Sequence, residues 1–244
     1  MKPSILIPTR NRPAMFRRAL ESAVSQSLEC EIVVVDASDN DETEHECRVF
    51  DGADIVYQRL VRNAGFLPAW YLCAAMARGD VVHFQLDDDW IDPDFMAHCV
   101  PLLTDDVGVV LTQALVHFED GRTQINLPLP YRDGRADSRG VVEMLMAMQL
   151  TLTPAAAVLR RADVLDSLHV NRIPGAPRVT PCADCYMMLS AIASRPWMEW
   201  VSEPIAHLGA HASGFTISAM ATPEGSADLV AQYAEVKAAW MRHR

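Results

Sequence analysis

No stretch of the 244-residue chain approaches the roughly 18 apolar residues that a membrane-crossing helix needs. The opening MKPSILIPTRNRP has one lysine and only a short apolar run before Pro8, too little for a secretory signal core. A soluble, cytoplasmic protein is therefore expected. Long Lys/Arg clusters are missing too, and the formal net charge is −11, which argues against a surface that neutralises many DNA or RNA phosphates. Nucleic acid is not an expected partner. There is no G-x-G-x-x-G after the first apolar run and no G-x-x-x-x-G-K-[ST] anywhere, so neither dinucleotide binding nor P-loop phosphate cradling is supported. G-x-S-x-G and H-E-x-x-H are absent as well. Six cysteines, at 30, 47, 73, 99, 182 and 185, are an even number. Without a secretory signal, and mostly beside strand or helix periodicity, they read as reduced thiols rather than a disulfide framework.

What is present is an ordinary globular composition, 50% hydrophobic and 22% charged, long enough for one large domain. SILIP and EIVVVD are β-branched runs ending at Pro8 and Asp36, and AMFRRALESAVSQS between them carries apolar residues at helical spacing. DNDETEHECRVF predicts a short helix, DIVYQRL a third strand, and LPAWYLCAAMA a helix closed by Arg78 and Gly79 as a C-terminal cap. VVHFQL then reads as a fourth strand. Strand and helix alternating at this spacing predict an α/β single domain with a mostly parallel, Rossmann-like central sheet flanked by helices. Ligands of such sheets bind outside the carboxyl ends of the strands. Pro8 to Arg12, Asp36 to Asp39, and Asp87 to Asp89 should therefore converge on one crevice.

The sharpest feature is RGDVVHFQLDDDWIDPDF, residues 78–95, where an apolar run ends in three consecutive aspartates. Adjacent carboxylates repel and resist losing water, so a counter-charge is expected among them. Hard oxygen ligands of this kind suit Mg²⁺ or Mn²⁺, which use one or two carboxylates together with substrate phosphate oxygens.

In this order the motifs resemble those of a GT-A type glycosyltransferase of family 2. The resemblance is carried by PTRNRP after the first strand, VVVDASD at the end of the second, Gly79-Asp80 before the fourth, and the aspartate-rich turn. LTPAAAVLRRADVL, CADCYMML and PIAHLGAHASGFT extend it, so it covers roughly residues 3–216. It implies a GT-A-like fold and transfer of a sugar from a nucleotide diphosphate donor to an unidentified acceptor, with inversion and a Mn²⁺ or Mg²⁺ cofactor. A UDP-sugar is the first candidate donor, with dTDP and GDP as others. Residues 1–104 would form the donor half and 105–244 the acceptor half with a C-terminal helix. Carried over by position, Pro8, Thr9 and Arg10 resemble the loop that touches the nucleotide, and Asp36 the strand-end aspartate near the base. Ala37 departs from the family, which commonly has a second aspartate there, and Asp39 stands two residues on. Arg62 precedes a helix where it could reach a diphosphate. On the family's Asp-x-Asp motif, counting from Gly79 or back from Pro93 puts Leu86 at the first position and Asp88, on the metal, at the second, with Asp87 near the ribose; matching letters alone gives Asp87 and Asp89, so Asp89 is a further metal candidate, and His211 reaches back to the ion. Asp184 takes the place of the general base.

Plainer readings compete for the same residues. Asp36 could be a simple turn former, Asn11 and Pro13 could only start a helix, Arg62 could be solvated, and His83 lies inside a strand. Asp184 could merely cap its helix. Cys182-x₂-Cys185, 21 residues and His207-x₃-His211 have the ligand types of a structural zinc site, although the gap is long for one. The alternative function is therefore a non-catalytic sugar-nucleotide or metal-binding module of the same fold. A sugar nucleotidyltransferase would be expected to carry a Gly-rich basic loop after its first strand, and none is present.

Overall fold

The computed structural model describes residues 2–61, 65–126, 132–150, 152–168 and 182–243. β1 (Ser4–Thr9) and β2 (Glu31–Asp36) are buried at every residue, as strands covered on both faces must be. Between them α1 (Pro13–Val24) buries Phe16, Ala19, Leu20 and Ala23, the spacing of one apolar stripe on a helix. α2 (Glu42–Val49), β3 (Ile55–Arg59), α3 (Phe66–Met76) and β4 (Val81–Phe84) complete the first half. β5 (Trp90–Ile91), α4 (Phe95–Cys99), β6 (Val107–Phe118), β7 (Thr123–Asn126), β8 (Gly134–Asp137) and α5 (Ser138–Met146) follow. Then come β9 (Ala157–Arg160), α6 (Arg161–Ser167), α7 (Ala183–Ala193), β10 (Trp197–Ala210), α8 (Phe215–Met220) and α9 (Pro223–Arg242).

One sheet runs through both halves in the order β3-β2-β1-β4-β9-β6-β10-β5, with β7 against β6 and β8 against β10. β1, β2, β3 and β4 are parallel. β9 is antiparallel to both β4 and β6, so β6, and β10 beside it, point the same way as β4. The carboxyl ends of six strands thus share one edge. The chain steps outward from β1 to β3 and then returns to β4, so right-handed crossovers put α1 and α2 on one face and α3 on the other. α3 packs on α6, α6 on α7 and α7 on α9, which covers that second face.

Two local expectations are corrected. Gly79 does not cap α3, whose C-cap is Ala77 in extended backbone. Its reason is close approach, since a Cβ there would lie 2.7 Å from the Lys2 carbonyl oxygen. Asn11 does not cap α1 either; Arg12 is the N-cap residue, with Pro13 at the first turn. Asn11 has φ of 54°, a left-handed conformation that asparagine tolerates better than most residues. All six cysteines are free thiols. Burial pushes those of Cys30, Cys47, Cys99 and Cys185 up to about 12, which leaves them protonated and inert.

Candidate active site

At the shared edge the loop after β1 closes against the turn after β4. Thr9 Oγ1 donates to Asp87 Oδ2 at 2.9 Å, and the Arg10 backbone N–H donates to the same oxygen at 3.4 Å. Arg12 Nη1 donates to Asp87 Oδ1 at 3.1 Å and to Asp88 Oδ2 at 3.2 Å. Its Nη2 reaches the Ser213 carbonyl oxygen at 3.0 Å. The positive charge expected among the aspartates is therefore supplied by the chain itself. Asp87 is almost fully buried, and burial, with Asp88 beside it, raises its pKa; Arg12 and Thr9 oppose that rise.

The three aspartates have separate surroundings. Asp88 Oδ2 meets His211 Nε2 at 2.9 Å, a contact between positions 123 residues apart, and His211 Nδ1 meets Ser213 Oγ at 2.9 Å. Asp89 turns the other way and accepts from the Gly209 backbone N–H at 2.9 Å. Burial, then the charge of Asp88, raises its pKa well above the ordinary carboxylate range. The turn is pinned from α1, where Arg18 Nη2 donates to the Asp88 carbonyl at 2.9 Å and stacks 3.6 Å over the Trp90 ring. Gly209 leaves room for this packing, because a Cβ there would lie 2.5 Å from the Asp88 carbonyl oxygen. Trp90 also stacks on His207, whose Nε2 meets Asp92 Oδ1 at 3.0 Å and whose Nδ1 meets His117 Nε2 at 3.0 Å.

The end of β2 is organised by Asn11. Its side chain donates to Asp39 Oδ2 at 2.8 Å and accepts from the Asp39 backbone N–H at 2.9 Å. Arg10 Nη2 lies 3.8 Å from the same carboxylate, which remains largely exposed. Asp36 is fully buried and both its oxygens are taken: Oδ1 accepts from the Ser38 N–H at 2.8 Å and Oδ2 from the Tyr57 hydroxyl at 2.8 Å. It therefore shapes the loop. Pro8 is buried in β1 opposite Val35. Arg62 lies outside the described residues.

Asp184 comes from the opposite face of the sheet. The C-terminal end of α7 sits where β6 begins, since Arg195 Nε donates to the Asp105 carbonyl at 3.1 Å and a Cβ on Gly108 would lie 2.2 Å from the Ala191 carbonyl oxygen. With ~1.5 Å of rise per residue, Asp184 stands about 15 Å along the helix from that end. The N-cap of α7 is Cys182, so Asp184 belongs to the first turn. Its Oδ1 accepts from the Cys185 N–H at 2.7 Å. The helix-start dipole is expected to lower this carboxyl, yet burial dominates and pushes its pKa up to about 6. Its charge is the main cause that raises the neighbouring Tyr233 hydroxyl.

Among the described residues no group of three or more His, Cys, Asp or Glu side chains is placed to hold a metal ion. Cys182 and Cys185 are buried about the start of α7, while His207 and His211 are engaged with Asp92, His117, Asp88 and Ser213, so the zinc spacing is not matched by a gathered set. Asp88 with His211 is a different case. One carboxylate oxygen and one imidazole nitrogen side by side suit Mn²⁺ or Mg²⁺ when phosphate oxygens complete the shell. Asp89, held on Gly209, does not join them. His83, fully buried, keeps Nδ1 2.8 Å from the Ala157 carbonyl, and burial pushes it down to about 4, so it is a neutral core residue.

Asn11 and Arg12 lie in the Pro8 to Arg12 stretch expected at the crevice but were given no role there, and Arg18 and Ser213 were not expected at the site. Arg12 had a signal, a cation in PTRNRP at a strand end facing another strand end with three carboxylates, and Asn11 shared its position; Arg18 and Ser213 had none.

The fold is of the GT-A type. The chain belongs to glycosyl transferase family 2, whose model matches residues 4–158. A Bacillus subtilis (strain 168) protein provisionally named as a glycosyltransferase, EpsH, is 27% identical over 131 residues, 49% of this chain and 36% of its own length. S. aureus TarS 1-349 in complex with UDP-GlcNAc superposes with a TM-score of 0.69 at 18% identity, over 89% of this chain and 61% of that one. Mannosyltransferase PcManGT from Pyrobaculum calidifontis, in complex with GDP-Man and Mn²⁺, gives a TM-score of 0.61 at 15% identity, over 95% and 62%. This chain thus spans about a third to two thirds of the relatives' lengths. No described helix is long and apolar enough to cross a membrane.

Proposed function

We propose that the chain transfers a glycosyl group from a nucleoside diphosphate sugar to an acceptor, with inversion. Residues 1–104 form the donor half and 105–244 the acceptor half. The observation that carries this reading is the meeting of Asp88 and His211 at 2.9 Å, at the carboxyl edge of a family 2 fold. Thr9, Arg10 and Asp87 border the donor, and Asp39, fixed by Asn11 and still exposed, is the group left to face the base, because Asp36 is fully buried with both oxygens engaged. The donors bound by TarS and PcManGT support a nucleotide sugar without choosing the base. Asp88 and His211 would hold Mn²⁺ or Mg²⁺, which offsets the charge gathering on the departing diphosphate.

Asp184 is the general base. It takes the proton of the acceptor hydroxyl as that oxygen bonds to the anomeric carbon and the sugar–phosphate bond breaks. A pKa of about 6 suits the task, being high enough to accept a proton well and low enough to stay ionised at neutral pH. Free thiols throughout fit a reducing, cytoplasmic setting.

The test is calorimetric titration of UDP, GDP and dTDP with and without Mn²⁺, followed by turnover assays with the sugar form of whichever binds. Binding of one diphosphate, strengthened by Mn²⁺, is expected. Absence of binding for all three would remove the donor reading.

A further inference from the structure

We propose that Arg12 is a transferable counter-cation. It holds Asp87 and Asp88 in the arrangement seen here, and it yields Asp88 to a divalent ion by turning onto the donor's diphosphate. This rests on the transferase reading of the same edge and assigns a role to a residue that reading does not use.

Three observations carry it. First, Arg12 Nη1 and His211 Nε2 converge on one atom, Asp88 Oδ2, at 3.2 and 2.9 Å. A divalent ion held by that oxygen and that nitrogen would bring a second cation to the carboxylate oxygen that Arg12 already holds. Two cations on one carboxylate oxygen repel, so Arg12 and the ion would compete for it. Second, Arg12 can leave without stranding its charge, because its side chain is 31% exposed while Asp87 and Asp88 are at 10% and 16%. Third, the guanidinium sits between the nucleotide-side loop and the aspartate turn, where a diphosphate on the ion would offer the paired oxygens that its fork of N–H donors fits. Asp87 keeps Thr9 and the Arg10 N–H when Arg12 turns, so the turn is not left without partners.

The exchange has a further consequence in the chain. Arg12 Nη2 also holds the Ser213 carbonyl, and Ser213 Oγ holds His211. Movement of one side chain therefore loosens the segment that carries the histidine ligand, while the diphosphate takes up the released charge. Donor and ion should bind synergistically, because each removes an obstacle to the other.

The competition predicts opposite signs in two binding measurements. Mn²⁺ alone, titrated by electron paramagnetic resonance, should bind Arg12→Ala about tenfold more tightly than wild type, the scale of one charge-assisted hydrogen bond. Mn²⁺ with UDP, GDP or dTDP, whichever the wild-type chain takes, should leave the nucleotide bound about tenfold more weakly to Arg12→Ala. Arg12→Lys, which keeps the charge but not the fork, should lie between in both. In wild type, that diphosphate should tighten Mn²⁺ binding by tenfold or more. Unchanged or weaker Mn²⁺ binding in Arg12→Ala, or the same direction of change in both titrations, overturns the proposal. If no nucleoside diphosphate binds wild type, the transferase reading fails on that result, and the Mn²⁺ titration by itself decides whether Arg12 competes for Asp88.

Discussion

Asp88, in the turn that follows β4, and Asp184, in the first turn of α7, are the two carboxylates on which the proposed chemistry depends, and they are held by different physics. Asp88 sits in a web of opposite and shared charges, with Arg12 and His211 on one oxygen and Arg18 on its carbonyl. Asp184 has a single backbone donor from Cys185, and burial alone lifts its pKa to about 6. Asp88 is thus set by its partners and Asp184 by desolvation. Pairing sets a carboxylate oxygen beside groups that a cation can replace, while desolvation makes a carboxylate basic enough to take a proton. One fold obtains two chemistries from one residue type by changing what surrounds it.

Substitutions that remove each carboxylate should break the two sides independently. The largest effect is expected for Asp184→Asn, whose turnover should fall by ~10²-fold or more while nucleotide affinity stays within a factor of two or so. Steady-state kinetics beside calorimetry would reveal it, and retained turnover would remove Asp184 from the base role. Asp88→Asn should do the converse. The Mn²⁺-dependent gain in nucleotide affinity should shrink by about 10- to 100-fold, as for loss of a metal-side partner, and addition of EDTA should then make little further difference.

Two glycines allow the sides to be disturbed without touching a carboxylate. Gly209→Ala would press on the Asp88 carbonyl, and Gly108→Ala on the Ala191 carbonyl of α7, the helix that bears Asp184. Each should cost about 1–3 kcal/mol of stability by overpacking. Gly209→Ala should weaken nucleotide binding in the presence of Mn²⁺, whereas Gly108→Ala should mainly lower kcat. Identical functional profiles for the two variants would show that the sides are not separable.

The smallest effect concerns pH. Asp184 binds its proton more tightly folded, at about 6, than unfolded, near the ordinary 3.8, so the unfolded chain carries fewer protons between these values. Stability contributed by this site therefore falls as pH rises from about 4 to about 6, and the cost is fully present above that. Asp184→Asn should remove the cost, leaving a gain of about 1 kcal/mol at pH 8 after the burial of the amide is counted, and the gain should vanish toward pH 4. Thermal melts of both proteins across this range would read the difference. A constant offset would mean that Asp184 is better solvated than its place in α7 implies.

Much of this molecule was legible in its sequence. The amphipathic spacing of Phe16, Ala19, Leu20 and Ala23, the β-branched runs of β1 and β2, and the alternation of strand and helix sufficed for a parallel α/β sheet, because local pattern and the handedness of crossovers leave few topologies. They also placed PTRNRP, Asp39 and the three aspartates at one edge, since strand ends of a parallel sheet cannot diverge. What the sequence could not hold was which atom faces which. That Asp36 gives its second oxygen to Tyr57, that Asp89 turns to Gly209 while Asp88 turns to His211, and that Arg12 supplies the counter-charge are choices among neighbours brought together from 21 to 123 residues apart. The pKa of Asp184 was decided the same way. A helix start is a local feature and predicts a lowered value, but burial is a property of the whole packed chain, and in the folded protein it is the larger of the two.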